Sequence, residues 1–453
     1  MTHPDTTRLR QHGGHGTAQG APWALLIGGG SLVVLTAVAG ISFVVGVVAV
    51  ALQAVFIAYF VRHLSFAVSA LRSAHLDLGA PVVDTGYRPS VCVIVSCHNE
   101  ETVVDGMIAS LVELDYPVEQ LQLIVVDDGS QDATGRLLDE WAARTPALEV
   151  MHRPPGAGGG KSGALNAALE HARAEIVVVF DADHHPHPDV LRRLVRHFED
   201  PEVAAVQGRC IIRNPSDSTI ARLVAVDYYA GYLVNEYGRQ SVFEMPAYGG
   251  ANCAVRVRCL VEVGGWNTSS VTEDTDLTLR LALAGWKVRY DINALDDEEG
   301  VVTLGRYWRQ RYRWARGHQQ VWRDYRAAVW RSKHLKLKEK IETTMFLAAF
   351  HVPIGSAIGL IILVVWAAGL VHIFNPVDTF ALWTLLFLGP LIELGAGLLI
   401  ADADRSEAVT LVLFMPMFFV SAALSSKAWL DGMAGRGYSW VKTARSADMT
   451  AAE

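Results

Sequence analysis

Cysteine is scarce in this sequence: there are five in 453 residues, and no two form a CxxC pair. That spacing excludes a zinc-ribbon or disulfide framework and fits a reducing compartment. Cys92 and Cys97 lie in the apolar run VCVIVSC and are expected as buried core thiols. Positive charge is also in deficit, with 39 Lys and Arg against 47 Asp and Glu, a net charge of −8. Nucleic acid is thereby excluded as the main partner, because binding to its phosphates needs a basic surface. The third absence is local: residues 21–61 carry no charged side chain. A cleaved signal sequence is too short to account for that run. A bilayer-crossing helix takes about 20 residues, so the run reads as a transmembrane hairpin. Its turn is expected near Gly40 to Ser42, and the polar start, residues 1–20, is expected to be disordered.

After Arg62 the pattern changes. The runs VCVIVSC, LQLIVVDD, LEVMH, EIVVVFDAD and VAAVQGRCII read as strands. Helical patterns near 101–114, 132–144 and 161–173 separate the first four. Such alternation predicts an α/β fold around a mostly parallel sheet. In such sheets ligands sit at the carboxyl ends of the strands. From Arg306 to Lys340 twelve Lys or Arg face two acids, with Tyr307, Trp308, Tyr312, Trp314 and Trp322 interleaved. This composition suits helices lying at a membrane surface. Three apolar stretches follow, at about 343–373, 378–400 and 408–430. The loop HIFNPVD lacks Lys and Arg, so it is expected outside; the tail, with Arg436, Lys442 and Arg445, is expected inside. Two crossings satisfy both, with 408–430, interrupted by Pro416, lying in the interface or re-entering; a fifth crossing is the alternative. The expected divisions are 1–20, 21–61, 62–305, 306–342, 343–430 and 431–453.

Chemistry concentrates where strands end. EIVVVFDAD ends in Asp181 and Asp183, two apart and facing the same way in extended chain. Two such carboxylates suit a hard divalent cation, although an Asp pair also commonly caps the next helix. His184, His185 and His187 follow among prolines and are expected in a loop rather than on zinc. LQLIVVDDGS delivers Asp127 and Asp128, and VCVIVSCHNEE delivers His98, Asn99 and Glu100. In VTEDTDLTLRLALAG, Leu277, Leu281 and Ala284 mark a buried helix face, and Thr272 is expected to cap the helix. Glu273 and Asp274 then sit in its first turn, where the helix dipole favours their ionised forms. A carboxylate there can act as a general base. In RYWRQRYRW, Gln310, Arg313 and Trp314 share one helix face. Arg suits a diphosphate, and Trp offers a flat face for a sugar ring. The stretch PPGAGGGKSGALN ends in a Gly-Lys-Ser like a nucleotide-binding P-loop, but position 155, where the first glycine belongs, is proline. Lys161 therefore stands either in a P-loop NTPase or transporter subunit, in a flexible loop, or at another phosphate.

Taken in order, SCHNEE, VVDDGS, GKSGALN, FDAD, TED and QRYRW resemble the membrane-embedded family 2 glycosyltransferases. That group includes synthases of cellulose, chitin, hyaluronan and poly-N-acetylglucosamine. The resemblance runs from about residue 88 to 320. It implies a GT-A, Rossmann-like cytosolic domain flanked by transmembrane helices, at the inner (plasma) membrane, with the catalytic domain in the cytoplasm. It implies a UDP-sugar donor, a Mg2+ or Mn2+ cofactor and inversion of an α-linked donor to a β-linked product. Asp128 and Glu100 resemble the residues that hold the uridine, and Lys161 part of the nucleotide-sugar pocket. Asp181 and Asp183 resemble the metal-binding DxD pair, with Asp181 also at the donor. Asp274, beside Glu273, resembles the catalytic base. Gln310, Arg313 and Trp314 resemble the QxxRW motif that borders the diphosphate and the acceptor. Trp440 and Thr443, in WVKTAR, resemble a gating loop. The expected product is a growing β-linked polysaccharide with coupled export; the alternative is a single sugar added to a membrane glycolipid. The first motif departs from the pattern, because many relatives carry a proline or alanine early in it. Neither the donor sugar nor accessory subunits can be read from the sequence.

Overall fold

The structure, a computed structural model, describes residue 36, residues 40–371 and residues 376–436. The start of the chain with the first arm of the expected hairpin, most of the HIFNPVD loop, and the WVKTAR segment with Trp440 and Thr443 lie outside the described residues.

The five apolar runs form strands β1 (Val91–Cys97), β2 (Leu121–Asp128), β3 (Leu148–Arg153), β4 (Ile176–Asp181) and β6 (Val203–Ile212). Val and Ile dominate them, because branched side chains fit a pleated surface packed on both sides. The alternation is direct. Val91, Val93, Val95, Val178 and Phe180 enter one core, while Cys92, Ile94, Val177 and Val179 enter the other. Each fully buried side chain of this kind contributes about 1.5–3 kcal/mol. Cys92, Cys97, Cys210, Cys253 and Cys259 are all buried free thiols.

Three strands escape the sequence patterns: the two-residue β5 (His185–Pro186), β7 (Cys253–Arg256) and β8 (Lys287–Glu298). The eight-stranded order is β3-β2-β1-β4-β7-β6-β8-β5. β1 pairs in parallel with β2 and β4, and β2 with β3. β7 runs antiparallel to both β4 and β6, so the sheet is mixed rather than parallel throughout. The register aligns the strand ends that matter: Cys97 lies opposite Asp127, and Ser96 opposite Asp181.

Helices α2 (Val104–Val112), α3 (Thr134–Arg144) and α4 (Gly160–Leu169) make the crossovers. They are followed by α5 (Val190–Val195), α6 (Thr219–Tyr228), α7 (Val257–Glu262) and α8 (Glu273–Leu283). The chain leaves the sheet through α9 (Leu304–Arg331) and α10 (Leu337–Ala348). Four further helices complete it: α11 (Val352–Ala367), α12 (Pro376–Ile400), α13 (Arg405–Val409) and α14 (Phe414–Met433).

Ahead of all these stands α1 (Ile41–Asp77), with Gly40 before its first turn. The boundary expected after residue 61 falls inside α1, which continues unbroken to Asp77. No proline and no glycine beyond Gly46 stands in this stretch to stop it. Among the described residues, three helical segments are long and apolar enough to cross a membrane: Ile41–Asp77, Leu337–Ala367 and Arg405–Met433. Both ends of the last one are tied to other segments, to Tyr229 after α6 and to Tyr312 in α9. Glu407 accepts a hydrogen bond from Tyr229 Oη at 2.8 Å, and Asp431 accepts one from Tyr312 Oη at 2.7 Å.

Candidate active site

The aligned strand ends open into one cavity of about 810 Å³. β1 ends at Cys97 and is followed by His98, Asn99 and Glu100, with Asn99 at a φ of 54°. Glu100 is buried, and its amide donates to Thr134 Oγ1 at 2.7 Å. β2 brings Asp127 and Asp128. Asp127 turns away from the cavity to His152 (2.9 Å) and the Ser130 amide (3.0 Å). Asp128 lines the cavity and takes a 2.6 Å hydrogen bond from Arg153. Burial raises the Asp128 carboxyl above its usual range, against the pull of Arg153 and His98.

β4 brings Asp181 and Asp183 to the same cavity. Lys161, in the first turn of α4, ties this part of the site together. Its Nζ lies 2.5 Å from Asp181 Oδ1, 3.8 Å from Glu273 Oε1 and 2.9 Å from the Gly250 carbonyl. Burial works against the ammonium, but Asp181 and Glu273 outweigh it and hold its pKa above the ordinary lysine value. Asp181, Gly250 and Glu273, from three separate chain segments, thus meet on one ammonium group.

α8 begins against this cluster. Asp274 Oδ1 accepts from the Thr275 amide at 2.5 Å, and both Glu273 and Asp274 line the cavity. Burial raises both carboxyls, although Lys161 and Arg313 pull them down. Gly250, at a φ of +82°, passes so close that an added Cβ would stand 3.1 Å from Asp274 Oδ2. Thr272 does not cap α8 as expected. Its side chain packs on Gly317, where a Cβ would meet Thr272 Cγ2 at 2.2 Å, and its hydroxyl has no hydrogen bond. Close approach of α9 to α8 takes precedence over the cap.

α9 presents Gln310, Arg313 and Trp314 to the same cavity. The Arg311 guanidinium, which also lines the cavity, lies 4.2 Å from the Trp314 ring centroid and reaches Asp227 at 3.0 Å, so it covers one face of the indole. His318 Nδ1 stands 3.1 Å from the Trp314 carbonyl, and burial lowers this imidazole to about 4.

The histidines after Asp183 are not in a plain loop. His184 is buried and bonded to Asp296 of β8, and His185 sits in β5 opposite Asp297. Burial opposes charge on His184, yet Asp296, Glu298 and Asp183 raise it to about 10. Glu298 lines the cavity, accepts from Tyr228 Oη at 2.8 Å and is raised to about 7, chiefly by burial. Asp296 and Glu298 were not singled out from the sequence, although KVRYDINA alternates polar and apolar residues as a half-buried strand does; the alternation stops at Leu295, just before both acids. Ligand-type atoms of His184, Cys210 and Asp296 also lie within 4.8 Å of one another.

The donor set at Asp181 and Asp183 fits a hard divalent cation. Glu100, Asp128, Asp181, Asp183, Asp227, Glu273, Asp274, Glu298 and Glu299 line this part of the cavity, with Lys161, Arg311 and Arg313 as the basic groups beside them. That surplus of carboxylate is what a Mg2+ or Mn2+ ion would offset. The cavity also continues between the apolar helices, where Phe56, Phe60, Leu394, Phe414, Met417 and Phe418 line it.

Comparison with known proteins follows this geometry. Residues 89–317 match the profile of a family described as "Glycosyltransferase like family 2". A beta-monoglucosyldiacylglycerol synthase of Synechocystis is 36% identical over 61% of this chain and 58% of its own. A poly-beta-1,6-N-acetyl-D-glucosamine synthase of Staphylococcus aureus is 26% identical over 54% of this chain and 58% of its own. Each match spans less than two thirds of the relative's length. A mannosyltransferase from Pyrobaculum calidifontis, solved with GDP-Man and Mn2+, superposes with a TM-score of 0.58 at 24% identity, over 85% of this chain and all of that one.

Proposed function

The chain belongs to glycosyltransferase family 2, and on that premise we propose that it transfers one sugar from a UDP-sugar to a hydroxyl of a membrane lipid, with inversion. The observation that carries this reading is the shared cavity. Asp128, Lys161, Asp181, Asp183, Asp274, Arg313 and Trp314 come from five separate elements and face one space, which runs on into an apolar wall of membrane-type helices.

In this reading Asp128 and Glu100 receive the uridine. Lys161 and Arg313 meet the diphosphate and the charge that develops on it as it leaves. A divalent cation held by Asp181 and Asp183 would supply further neutralisation of that diphosphate. Asp274 accepts the proton of the acceptor hydroxyl. Burial raises its pKa, which makes it a better base than a solvated carboxylate, while the Thr275 amide and Lys161 favour its ionised form. Trp314 is the floor on which the acceptor rests, and Gln310 borders it. The hydroxyl attacks the anomeric carbon from the membrane side, opposite the diphosphate, so an α-linked donor gives a β-linked product. Holding the two reactants in place supplies much of the acceleration. α1, α11 and α12 cross, and α13 with α14, long and apolar enough to be a further span, lies in the interface because the tail with Arg436, Lys442 and Arg445 then stays inside.

The lipid acceptor is favoured by the 36% identity to a synthase named for a glucosyl-diacylglycerol product. The second reading is a growing polysaccharide, supported by the 26% identity to a polymer synthase. A screen of UDP-sugars with purified protein in lipid vesicles, with Mg2+ or Mn2+, decides between them. The expected result is UDP release with a monoglycosylated lipid. A polymer would reverse the preference, and ATP turnover without UDP-sugar use would defeat both readings.

A further inference from the structure

Positive charge, in deficit over the whole chain, is concentrated at one corner. Between Arg326 and Ile341, where α9 turns into α10, stand Arg326, Arg331, Lys333, Lys336, Lys338 and Lys340 against a single acid, Glu339. Six cations less one anion leave a surplus of five, on a chain of net charge −8. All of these cations but Lys340 are exposed. Little inside the molecule offsets them. Lys336 stands 4.0 Å from Glu339, while Arg326, Lys338 and Lys340 reach backbone carbonyls at 2.5, 3.4 and 3.1 Å. Among the described residues, Arg331 and Lys333 form no ion pair. The basic groups at the end of α14 are matched instead: Lys427 and Arg436 both pair with Asp431.

Exposed apolar side chains stand among these cations. Trp330 is 49% exposed, Leu337 66% and Ile341 43%. Leu337 and Ile341 are four apart and share a face of α10, while Glu342, Thr343 and Leu347 turn inward. The helical segment that begins here, Leu337–Ala367, is long and apolar enough to cross a membrane. Its lipid-facing line therefore starts at Leu337, between Lys336 and Lys338. That register sets the lysines at the depth of the headgroups, with Trp330 at the boundary that tryptophan favours. An ammonium group at that depth meets phosphate as a point charge, and a cluster of them is drawn to an acidic leaflet.

We propose that the α9–α10 corner is a binding surface for anionic lipid, in which Lys333, Lys336 and Lys338 hold headgroup phosphates while Trp330, Leu337 and Ile341 enter the bilayer beside them. None of these six residues lines the cavity that holds Asp274, so this lipid is a neighbour of the enzyme and not its acceptor. The surface stands whichever acceptor is used.

The test uses the full chain in phosphatidylcholine vesicles carrying a trace of spin-labelled phosphatidylglycerol or spin-labelled phosphatidylcholine. Electron spin resonance gives the share of each label held immobile at the protein. The expected result is a roughly threefold preference for phosphatidylglycerol, falling toward parity in about 1 M NaCl, where charges act only within about 3 Å. The triple variant Lys333→Gln, Lys336→Gln, Lys338→Gln should lose at least about half of that preference, and Lys333→Arg, Lys336→Arg, Lys338→Arg should keep it, because the charge is what the headgroup meets. All three positions are exposed, so the thermal unfolding midpoint should stay near the parental value in both triple variants, which separates a lost surface from a lost fold. Equal retention of the two labels by the parent protein would overturn the surface. So would a phosphatidylglycerol preference that the glutamine variant keeps in full, or one that high salt leaves unchanged. None of these outcomes bears on the transfer reaction, since the readout is lipid association without turnover.

Discussion

The two ends of the cavity handle charge in opposite ways. At the strand ends, acids crowd together: Asp181, Asp183, Glu273, Asp274 and Glu298 line the space with Lys161 and Arg313. At the membrane end, Arg62, Glu342, Arg239, Glu236 and Glu393 are matched almost one for one. Burying unmatched charge is expensive, so an imbalance persists only where a ligand relieves it. The donor end is unbalanced because its ligands bring charge of their own.

The comparison can be broken at several points. Asp274→Asn removes the base but keeps the shape, and transfer should fall about 10²–10⁴-fold while UDP still binds; near-parental transfer would move the base elsewhere. The same carboxyl sets a pH limb. Its pKa is raised, so the basic form is lost on acidification at a pH above the ordinary Asp value of 3.8, and kcat should decline from there. Removing divalent cations with a chelator should cost roughly 100-fold or more in transfer, restored by Mg2+ or Mn2+, with Asp183→Ala not restored. If chelation has no effect, the acid surplus at the donor end has another purpose.

His318 sharpens the contrast from the stability side. Its folded pKa, about 4, lies below the ordinary 6.5, because burial disfavours the charged ring. The unfolded chain therefore binds a proton first as the pH falls. Stability is full above 6.5 and declines as pH drops toward about 4, by roughly 3 kcal/mol at most. His318→Phe should flatten that decline in thermal unfolding followed against pH. Smallest is Trp314→Ala, expected to raise the acceptor KM on the order of tenfold with the donor KM little changed. An equal rise in both would place the indole on the donor side.

What could be read in the sequence divides along the same line. β1, β2 and β4 are short apolar runs ending in acids, so their positions and their shared edge follow from composition alone. Lys161 was ambiguous as a motif, and only its contacts with Asp181 and Glu273 give it a place. Asp128, Asp181 and Asp183 were legible because they stand where apolar runs end, and Glu273 and Asp274 because they open a helix. The membrane end was not, because its partners are scattered: Arg62 and Glu342 are 280 positions apart. An arginine in an apolar helix carries no sign of the glutamate it will meet. β8 carried its own signal, since KVRYDINA alternates polar and apolar residues, but the alternation ends at Leu295 and leaves the acids beyond it, Asp296 and Glu298, unmarked.

The central claim is that the acceptor reaches the donor sugar from the membrane side, across Asp274 from the diphosphate. The anomeric configuration of the product, read by NMR after reaction with an α-linked UDP-sugar, tests this most directly. The account predicts a β linkage, as a single displacement requires. An α linkage would mean attack on the diphosphate side or two successive displacements, and the claim would fail.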